Sequence, residues 1–165
     1  MTDAVAIRLI AASELPIVQT LANATWPTAF DGVIERHKIE MMLEDIYALE
    51  TLQNDMDALG HVYWIARHNG QDSGFASSYK EGDTTWIKKL YILPAKQGHG
   101  IGRALIATAL EHFAPQRAVS LYVNNGNAKA IAFYKKYGFA IEKEVPVKMG
   151  PFDFTDFVMT KVLAG

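Results

Sequence analysis

The segment Gln97-Gly98-His99-Gly100-Ile101-Gly102-Arg103 lies between two stretches of different character. Residues 86–93 before it are rich in residues that favour strands, and Pro94 ends that strand because proline cannot donate to a ladder. Residues 104–113 after it are rich in helix-forming residues. The sequence therefore predicts a strand, a glycine-rich turn and a helix. Because the first N–H groups of a helix are unpaired and lie at the positive end of its dipole, this turn can bind a phosphate.

Known phosphate-binding patterns differ in how well they match this segment. The dinucleotide-binding pattern G-x-G-x-x-G needs a glycine where the chain has Arg103, and no acidic residue ends a second strand about 20 residues later. The Walker sequence Gly-Lys-Ser/Thr is absent. The segment matches Q-x-x-G-x-G followed by a helix. That pattern alone leaves open a glycine-rich turn without a ligand.

The composition is that of an ordinary globular chain. Of its 165 residues 50% are hydrophobic and 21% are charged, with a net charge of −2, so we expect a single domain over residues 1–165 and no nucleic-acid partner. The lack of cysteine excludes disulfides and thiolate catalysis, and the five histidines have no metal-binding spacing, so no metal site is expected. No signal peptide or apolar run of about 18 residues occurs, which predicts a cytoplasmic protein without a membrane partner.

Hydrophobic periodicity predicts the first third of the chain. Residues 5–10 favour a strand, and Ser13 can cap a helix that runs to about residue 24. The stretch from Trp26 to Gly32 then indicates a break. Apolar stripes at residues 39–46 and at Leu49, Leu52, Met56 and Leu59 predict two amphipathic helices packed against the core.

The middle of the chain predicts a sheet that changes sense. Residues 62–67, 74–80 and 84–93 favour an antiparallel meander, with a type I′ turn at Asn69-Gly70. The helix after the glycine-rich turn leads to a strand at 118–123, and such a crossover pairs parallel. Ligands of open sheets bind near such a change of sense, which here lies beside the turn.

A second motif, N-x-x-A-x-x-F-Y-x-x-x-G-F, occupies residues 127–139. Its residues predict a helix capped by Asn127 and stopped by Gly138, and a capped core helix would account for it alone. Together, in this order and at this separation, the two motifs resemble those of the GCN5-related N-acetyltransferases (the GNAT superfamily), which bind acetyl-CoA. The resemblance covers residues 90–139 directly, and the order of the remaining elements is also similar.

The resemblance implies an α/β (α+β) fold with a mixed, mostly antiparallel central sheet of about seven strands flanked by helices. It implies an N-acetyltransferase that moves the acetyl group of acetyl-CoA directly to a primary amine in a ternary complex. It also implies cofactor contacts from the strand, the turn and the second motif: Leu90, Tyr91, Ile92, Gln97, Gly98, His99, Gly100, Ile101, Gly102, Arg103, Asn127, Ala130 and Tyr134.

Acetyl transfer needs an acid and a base. Tyr134 matches the family's usual general acid for the leaving thiolate, although a phenol with a pKa near 10 needs help from burial and orientation. The amine must be neutral to attack, yet only about one alkyl amine in a thousand is neutral at pH 7. Some family members carry a glutamate base where this chain has Tyr122, so Glu81, Asp83 or a water chain remain the alternatives.

The sequence says less about the molecule that accepts the acetyl group than about the cofactor. Four segments, at residues 25–30, 49–59, 130–139 and 149–159, also resemble bacterial polyamine acetyltransferases that act on spermidine and spermine. That subgroup has acidic residues in the strand before the turn, whereas this chain has Lys88 and Lys89, which should face opposite ways. A lysine toward the substrate would repel a polycation, and two solvated surface lysines are the alternative.

We therefore expect a small amine acceptor, polyamine-like or amino-acid-like. Candidate substrate contacts are Trp26, Phe30, Tyr79, Glu81, Lys88 and Tyr122, with core packing as the alternative role for the aromatic residues. The alternative functions are a peptide N-terminal or protein lysine acetyltransferase and a non-catalytic acyl-CoA-binding domain. A homodimer is implied only by the resemblance to the family.

Overall fold

A sheet of seven strands lies at the centre of the part of the chain that this computed structural model describes, residues 4–163. In chain order the strands are β1 (Val5–Leu9), β2 (Val62–His68), β3 (Gln71–Glu81), β4 (Thr84–Ile92), β5 (Ala118–Asn124), β6 (Ala140–Met149) and β7 (Phe152–Val162). The α-helices around the sheet are α1 (Leu15–Ala29), α2 (Arg36–Ile46), α3 (Leu49–Asp57), α4 (Ile101–Phe113) and α5 (Ala128–Lys136).

The strands lie in the order β1-β2-β3-β4-β5-β7-β6. β4 and β5 are parallel because α4 connects them as a crossover, whereas the other neighbouring strands are antiparallel. This order confirms the predicted mixed, mostly antiparallel sheet. It also confirms that the sense changes after β4, beside the glycine-rich turn.

The parallel pair is short, and its two strands separate. β4 and β5 pair only from Thr84 opposite Ala118 to Ile87 opposite Leu121. At the next residue β4 has a bulge, because its neighbour β3 pairs with residues 87 and 89 and skips Lys88. A bulge bends its strand, and β5 meanwhile stays paired with β7 as far as residue 124. The sheet therefore splits between β4 and β5.

Helices cover both faces of the sheet: α1, α2 and α3 pack on one face, and α4 and α5 on the other. Consecutive residues of β2 alternate between the two faces of the sheet. Tyr63 and Ile65 pack in the layer of α1 to α3, whereas Trp64 and Ala66 pack in the layer of α4 and α5. The side chains that are almost fully buried include Leu15, Val18, Met42, Leu52, Leu105 and Ile106. No helix within residues 4–163 is long and apolar enough to cross a membrane.

The predicted turn and helix-end signals are confirmed where glycine or asparagine takes a left-handed conformation. Asn69 and Gly70 have φ angles of 51° and 82°, as a type I′ hairpin requires between β2 and β3. Gly138 has a φ angle of 104° and follows the last turn of α5.

The predicted break after residue 24 is wrong, because α1 continues to Ala29 with Pro27 inside it. Proline removes one helical hydrogen bond. The helix continues because Trp26 is buried in the first helix layer, 4.9 Å from the ring of Phe30 and 5.5 Å from that of Tyr91. Tertiary packing therefore outweighs the local signal.

Two further details of the helical third differ from the prediction. Ser13 does not cap α1: it lies in a 3₁₀ turn at Ala12–Glu14, from which the helix starts directly. The stripe on α3 packs only in its middle, because Leu49 and Leu59 are about half exposed. α3 ends at Asp57, before the stripe does.

The contrast between buried and exposed leucines gives a test of the fold. Leu105→Ala should lower the free energy of unfolding by ~2–5 kcal/mol, because it leaves a cavity between α4 and the sheet. Leu49→Ala, the matched control on α3, should change it by less than ~0.5 kcal/mol. Urea denaturation measures both. Equal losses would contradict the described packing.

Candidate active site

A cavity of about 630 Å³ lies where β4 and β5 separate. Residues 88–91 of β4 line one side of it and residues 121–124 of β5 line the other. Trp26 and Phe30 reach it from the layer of α1, and Tyr134 reaches it from α5. The cavity therefore extends from one face of the sheet to the other.

The glycine-rich loop follows β4 and ends where α4 begins. Gly98 and Gly100 have φ angles of 88° and 77°, which favour glycine. Ala104 is the first residue of α4 whose N–H donates to a loop carbonyl, that of Gly100 at 3.0 Å. Within residues 4–163, no backbone carbonyl accepts from the N–H groups of Gly98, Gly100, Ile101, Gly102 and Arg103. These donors lie at the positive end of the α4 dipole and suit an anion.

Contacts of different kinds hold this loop against α5. They are the hydrogen bond from Lys129 Nζ to Gln97 Oε1 (2.9 Å), the guanidinium of Arg103 over the ring of Tyr137 (5.3 Å to the centroid), and the close approach of Gly102 to Phe133. A Cβ at position 102 would lie only 3.2 Å from Cζ of Phe133, so glycine allows this packing. The two sequence motifs are thus brought into direct contact.

Two predicted loop contacts direct their side chains away from a ligand. The ring of His99 packs 4.5 Å from that of His68 at the end of β2. Ile101 is buried between α4 and the sheet. At these two positions an anion would contact the backbone and not the side chains.

α5 carries the second motif as predicted. Asn127 Oδ1 accepts a hydrogen bond from the N–H of Ala130 at 3.2 Å and so caps the helix. Tyr134 is only 9% exposed and packs against Phe139. Burial raises the pKa of Tyr134 well above its usual value. Its hydroxyl is therefore protonated at neutral pH and can donate.

The edge of β4 toward β5 has no strand partner between Lys88 and Ile92 among the described residues. Leu90 and Tyr91 lie on the cavity wall. Ile92 lies beyond the wall and packs in the layer of α4. Backbone N–H and C=O groups along this free edge are available to a ligand in the cavity.

Aromatic side chains close the cavity on the side of α1. Trp26 and Phe30 both pack near Tyr91, with ring centroids 5.5 and 6.2 Å away. The indole N–H of Trp26 donates to the hydroxyl of Tyr47 at 3.1 Å. These predicted substrate contacts are therefore both core residues and cavity wall.

A row of stacked rings runs across the sheet beside the cavity. The successive pairs are His61 with Tyr79 (4.8 Å), Tyr79 with Trp86 (6.3 Å) and Trp86 with Tyr122 (5.2 Å). Tyr79 and Tyr122 line the cavity, and Tyr122 is 45% exposed. Burial raises the pKa of Tyr79 to about 12. The row thus presents neutral, flat surfaces to a substrate.

Lys88 and Lys89 have different environments. Lys88, the extra residue of the bulge, is exposed on the cavity wall. The alternative that both lysines are solvated is wrong, because Lys89 is buried with its Nζ 3.4 Å from Asp55 Oδ2 and 3.1 Å from the hydroxyl of Tyr63. That hydroxyl donates to Asp55 at 2.8 Å. Burial lowers the pKa of Lys89 to about 8, and the charge of Asp55 opposes this.

The two carboxylates suggested as bases do not reach the cavity. Glu81 is exposed at the end of β3 and does not line the cavity. Asp83 lies in the turn that follows, its side chain 74% exposed and 3.7 Å from Arg117. Both lie at the far end of the β3–β4 hairpin, away from the cavity, although they are close in sequence to the glycine-rich loop.

Sequence reasoning missed Asp156 in β7, which lines the cavity. Its side chain is 6% exposed, and Oδ1 has no hydrogen-bond partner within residues 4–163. Burial raises its pKa to about 6, and the charge of Lys88 opposes this shift. Its only sequence signal is an aspartate inside the apolar segment from Phe152 to Met159.

Comparison with known sequences gives one family. The model of the acetyltransferase (GNAT) family matches residues 18–139. A protein of Mycobacterium tuberculosis named as a probable N-acetyltransferase is 29% identical over 142 residues, which cover 82% of this chain and 81% of that protein. A mycothiol acetyltransferase of Kocuria rhizophila is 31% identical over 98 residues, which cover 56% of this chain but only 29% of that longer enzyme.

Comparison with solved structures agrees. The PaiA N-acetyltransferase of Thermoplasma acidophilum, solved with coenzyme A, superposes with a TM-score of 0.81 at 22% identity and covers 97% of this chain and 99% of its own. The ribosomal-protein-S18-alanine N-acetyltransferase of Escherichia coli superposes with a TM-score of 0.69 at 18% identity, covering 98% and 97%. At these identities the likeness shows the fold.

Proposed function

Because the chain belongs to the acetyltransferase (GNAT) family, we propose that it moves the acetyl group of acetyl-CoA directly to a primary amine bound in the same complex. One observation carries the proposal: unpaired N–H groups of the glycine-rich loop lie against the helix that brings Tyr134 into the cavity. The family's acetyl donor needs both an anion site and a proton donor for its sulfur.

The loop fits a diphosphate. Several of its N–H groups, near the start of α4, have no backbone acceptor within residues 4–163, and nothing lies within 4 Å of a Cβ built on Gly98 or Gly100, so the space beside them is open. Lys129 and Arg103 lie beside the loop and add positive charge. Together these groups can bind the pyrophosphate of acetyl-CoA.

The free edge of β4 fits an extended acyl chain. Beside Leu90 and Tyr91, the edge of β4 toward β5 has no strand partner within residues 4–163. An N–H aimed at the oxygen on which negative charge develops contributes ~3 kcal/mol to transition-state stabilisation. The split of the sheet thus supplies the polarising group for the acetyl carbonyl.

Tyr134 serves as the general acid. Its burial keeps the phenol protonated at neutral pH. The same water-poor surroundings raise the pKa of a departing thiol as well as that of the phenol, so the thiolate becomes a stronger base for the phenol proton. The hydroxyl then donates its proton to the coenzyme A sulfur as the carbon–sulfur bond breaks.

The charge of the cavity favours an acceptor that carries an anionic group. Lysine side chains on its wall outnumber carboxylates: Lys88, Lys89, Lys143 and Lys148 face one aspartate, Asp156, among the described lining residues. Within residues 4–163, Lys89 is the one of these lysines with an ion-pair partner, Asp55, which lies outside the wall. Repulsion disfavours a polycation, so of the two expected acceptor classes we propose the amino-acid-like one.

The cofactor site can be tested by thermal stability. Acetyl-CoA at a hundredfold excess over its dissociation constant should stabilise the protein by ~2.7 kcal/mol, whereas NAD and ATP should not. Gly100→Glu should abolish this stabilisation, because it adds a negative charge at the loop. Gly60→Glu, at a glycine of similar φ angle (71°) after α3, is the matched control. A folded protein that acetyl-CoA does not stabilise would contradict the proposal.

The role of Tyr134 can be tested by removing its hydroxyl. Tyr134→Phe should lower kcat by ~100-fold, the usual contribution of a general acid, and leave the affinity for acetyl-CoA unchanged. Tyr137→Phe, three residues further and just past the end of α5, keeps the ring over which Arg103 lies and should keep the wild-type kcat. Unchanged turnover in Tyr134→Phe would assign the acid to another group.

The preferred acceptor charge can be tested with amines of equal chain length. We expect kcat/KM to fall in the order 4-aminobutyrate, n-butylamine, 1,4-diaminobutane, by about tenfold per step, which corresponds to ~1.4 kcal/mol. Added salt should reduce the differences in kcat/KM between the three amines, because it screens the charges of the exposed lysines. Steady-state assays of coenzyme A release measure this, and a preference for the diamine would refute the charge argument.

A further inference from the structure

Asp156 has no role in the reaction described so far, yet it is a buried carboxyl on the cavity wall whose Oδ1 has no hydrogen-bond partner within residues 4–163. It lies near the middle of β7, opposite Asn124 of β5 and Val145 of β6. An unpaired carboxylate destabilises a fold, so its presence here needs a functional explanation.

Strand alternation gives the face on which Asp156 lies. Phe157 and Met159 pack with the layer of α4 and α5, whereas Phe154 packs with the layer of α1 to α3. Asp156 has the parity of Phe154 and therefore faces the layer of α1 to α3. Tyr134 enters the cavity from α5, on the opposite face.

The two ionisable groups thus approach the cavity from opposite sides of the sheet. This arrangement separates the group that can accept a proton from the attacking amine from the group that can donate a proton to the leaving sulfur. Asp156 is also the only carboxyl group among the described residues that line the cavity. Its charge acts on Tyr91 of the β4 edge, which contributes to raising the pKa of that phenol.

We propose that Asp156 is the general base that accepts a proton from the acceptor ammonium. The inference rests on the acetyl transfer proposed above. The carboxylate takes one proton and leaves a neutral amine, whose lone pair forms the bond to the acetyl carbon. The carbon–sulfur bond breaks and its electron pair stays on sulfur, which takes the proton of Tyr134. The acylated nitrogen loses its surplus proton, which restores the tyrosine, and the aspartic acid returns its proton to solvent.

The acidity of Asp156 suits this role. With a pKa of about 6 the group is about nine-tenths ionised at pH 7, yet it is a stronger base than an ordinary carboxylate. The titratable groups that share the cavity with it are four lysines and five tyrosines: Lys88, Lys89, Lys143, Lys148, Tyr47, Tyr79, Tyr91, Tyr122 and Tyr134. Burial is the first cause of the raised pKa, and Lys88 opposes it.

The test compares pH profiles with n-butylamine, an acceptor without a second charge. Asp156→Asn should lower kcat/KM by ~100-fold at pH 7. The ratio of the wild-type kcat/KM to that of the variant should fall about tenfold per pH unit up to pH 9. The reason is that the neutral fraction of the amine in solution rises with pH, so the base is needed less. Asp153→Asn, an exposed aspartate on the same strand, is the matched control and should follow the wild type.

A second readout does not depend on activity. The pKa of the Asp156 carboxyl is higher in the folded state than in the unfolded state, so the folded state binds the proton more tightly. Loss of this proton should therefore lower the stability of the wild type as the pH rises from 4 to 6. Asn mimics the protonated form, so Asp156→Asn should remove that fall in Tm and not lower Tm at pH 7. A variant that loses both stability and activity would indicate a structural role.

The outcomes separate the two proposals. A wild type that acetylates no amine overturns the proposed function and this inference together. A wild type that transfers acetyl while Asp156→Asn equals it, or falls short by the same factor at every pH, overturns only the assignment of the base.

Discussion

The rest of the structure depends on the separation of β4 from β5 after four paired positions. The bulge at Lys88 turns β4 away while β7 holds β5 in place. Backbone N–H and C=O groups that lose a strand partner in a protein interior need another one. The split therefore creates both the cavity and the free backbone groups along its edge. A fully paired sheet would have neither.

Helix α4 places the second set of free backbone donors. The strand before it and the glycines of the loop direct the N–H groups outward, and contacts such as that between Gly102 and Phe133 hold α5 against them. A short α5, capped by Asn127, then carries Tyr134 into the cavity. Two motifs about 30 residues apart in sequence thus form one site because α4 returns the chain to the sheet beside β4.

Buried polar groups concentrate around this site. Lys89, Asp55 and Tyr63 form a hydrogen-bonded cluster under one wall, whereas Asp156 lies on the other side with an oxygen that has no partner in the described chain. The cluster is satisfied and contributes a paired charge, but Asp156 is not, and such a group is retained at the expense of stability. Among the described residues of the cavity wall, lysines outnumber the single aspartate.

The sequence by itself determined the elements whose signals are local. The glycine-rich loop, the cap at Asn127, the hairpin at Asn69-Gly70 and the parallel crossover follow from backbone periodicity, capping and turn chemistry, and the two motifs indicate the family. Tertiary structure alone decided that α1 continues through Pro27, that Lys89 is buried and that Asp156 lies in the cavity. Those outcomes depend on which distant strands and helices pack together, and no short stretch of sequence contains that information.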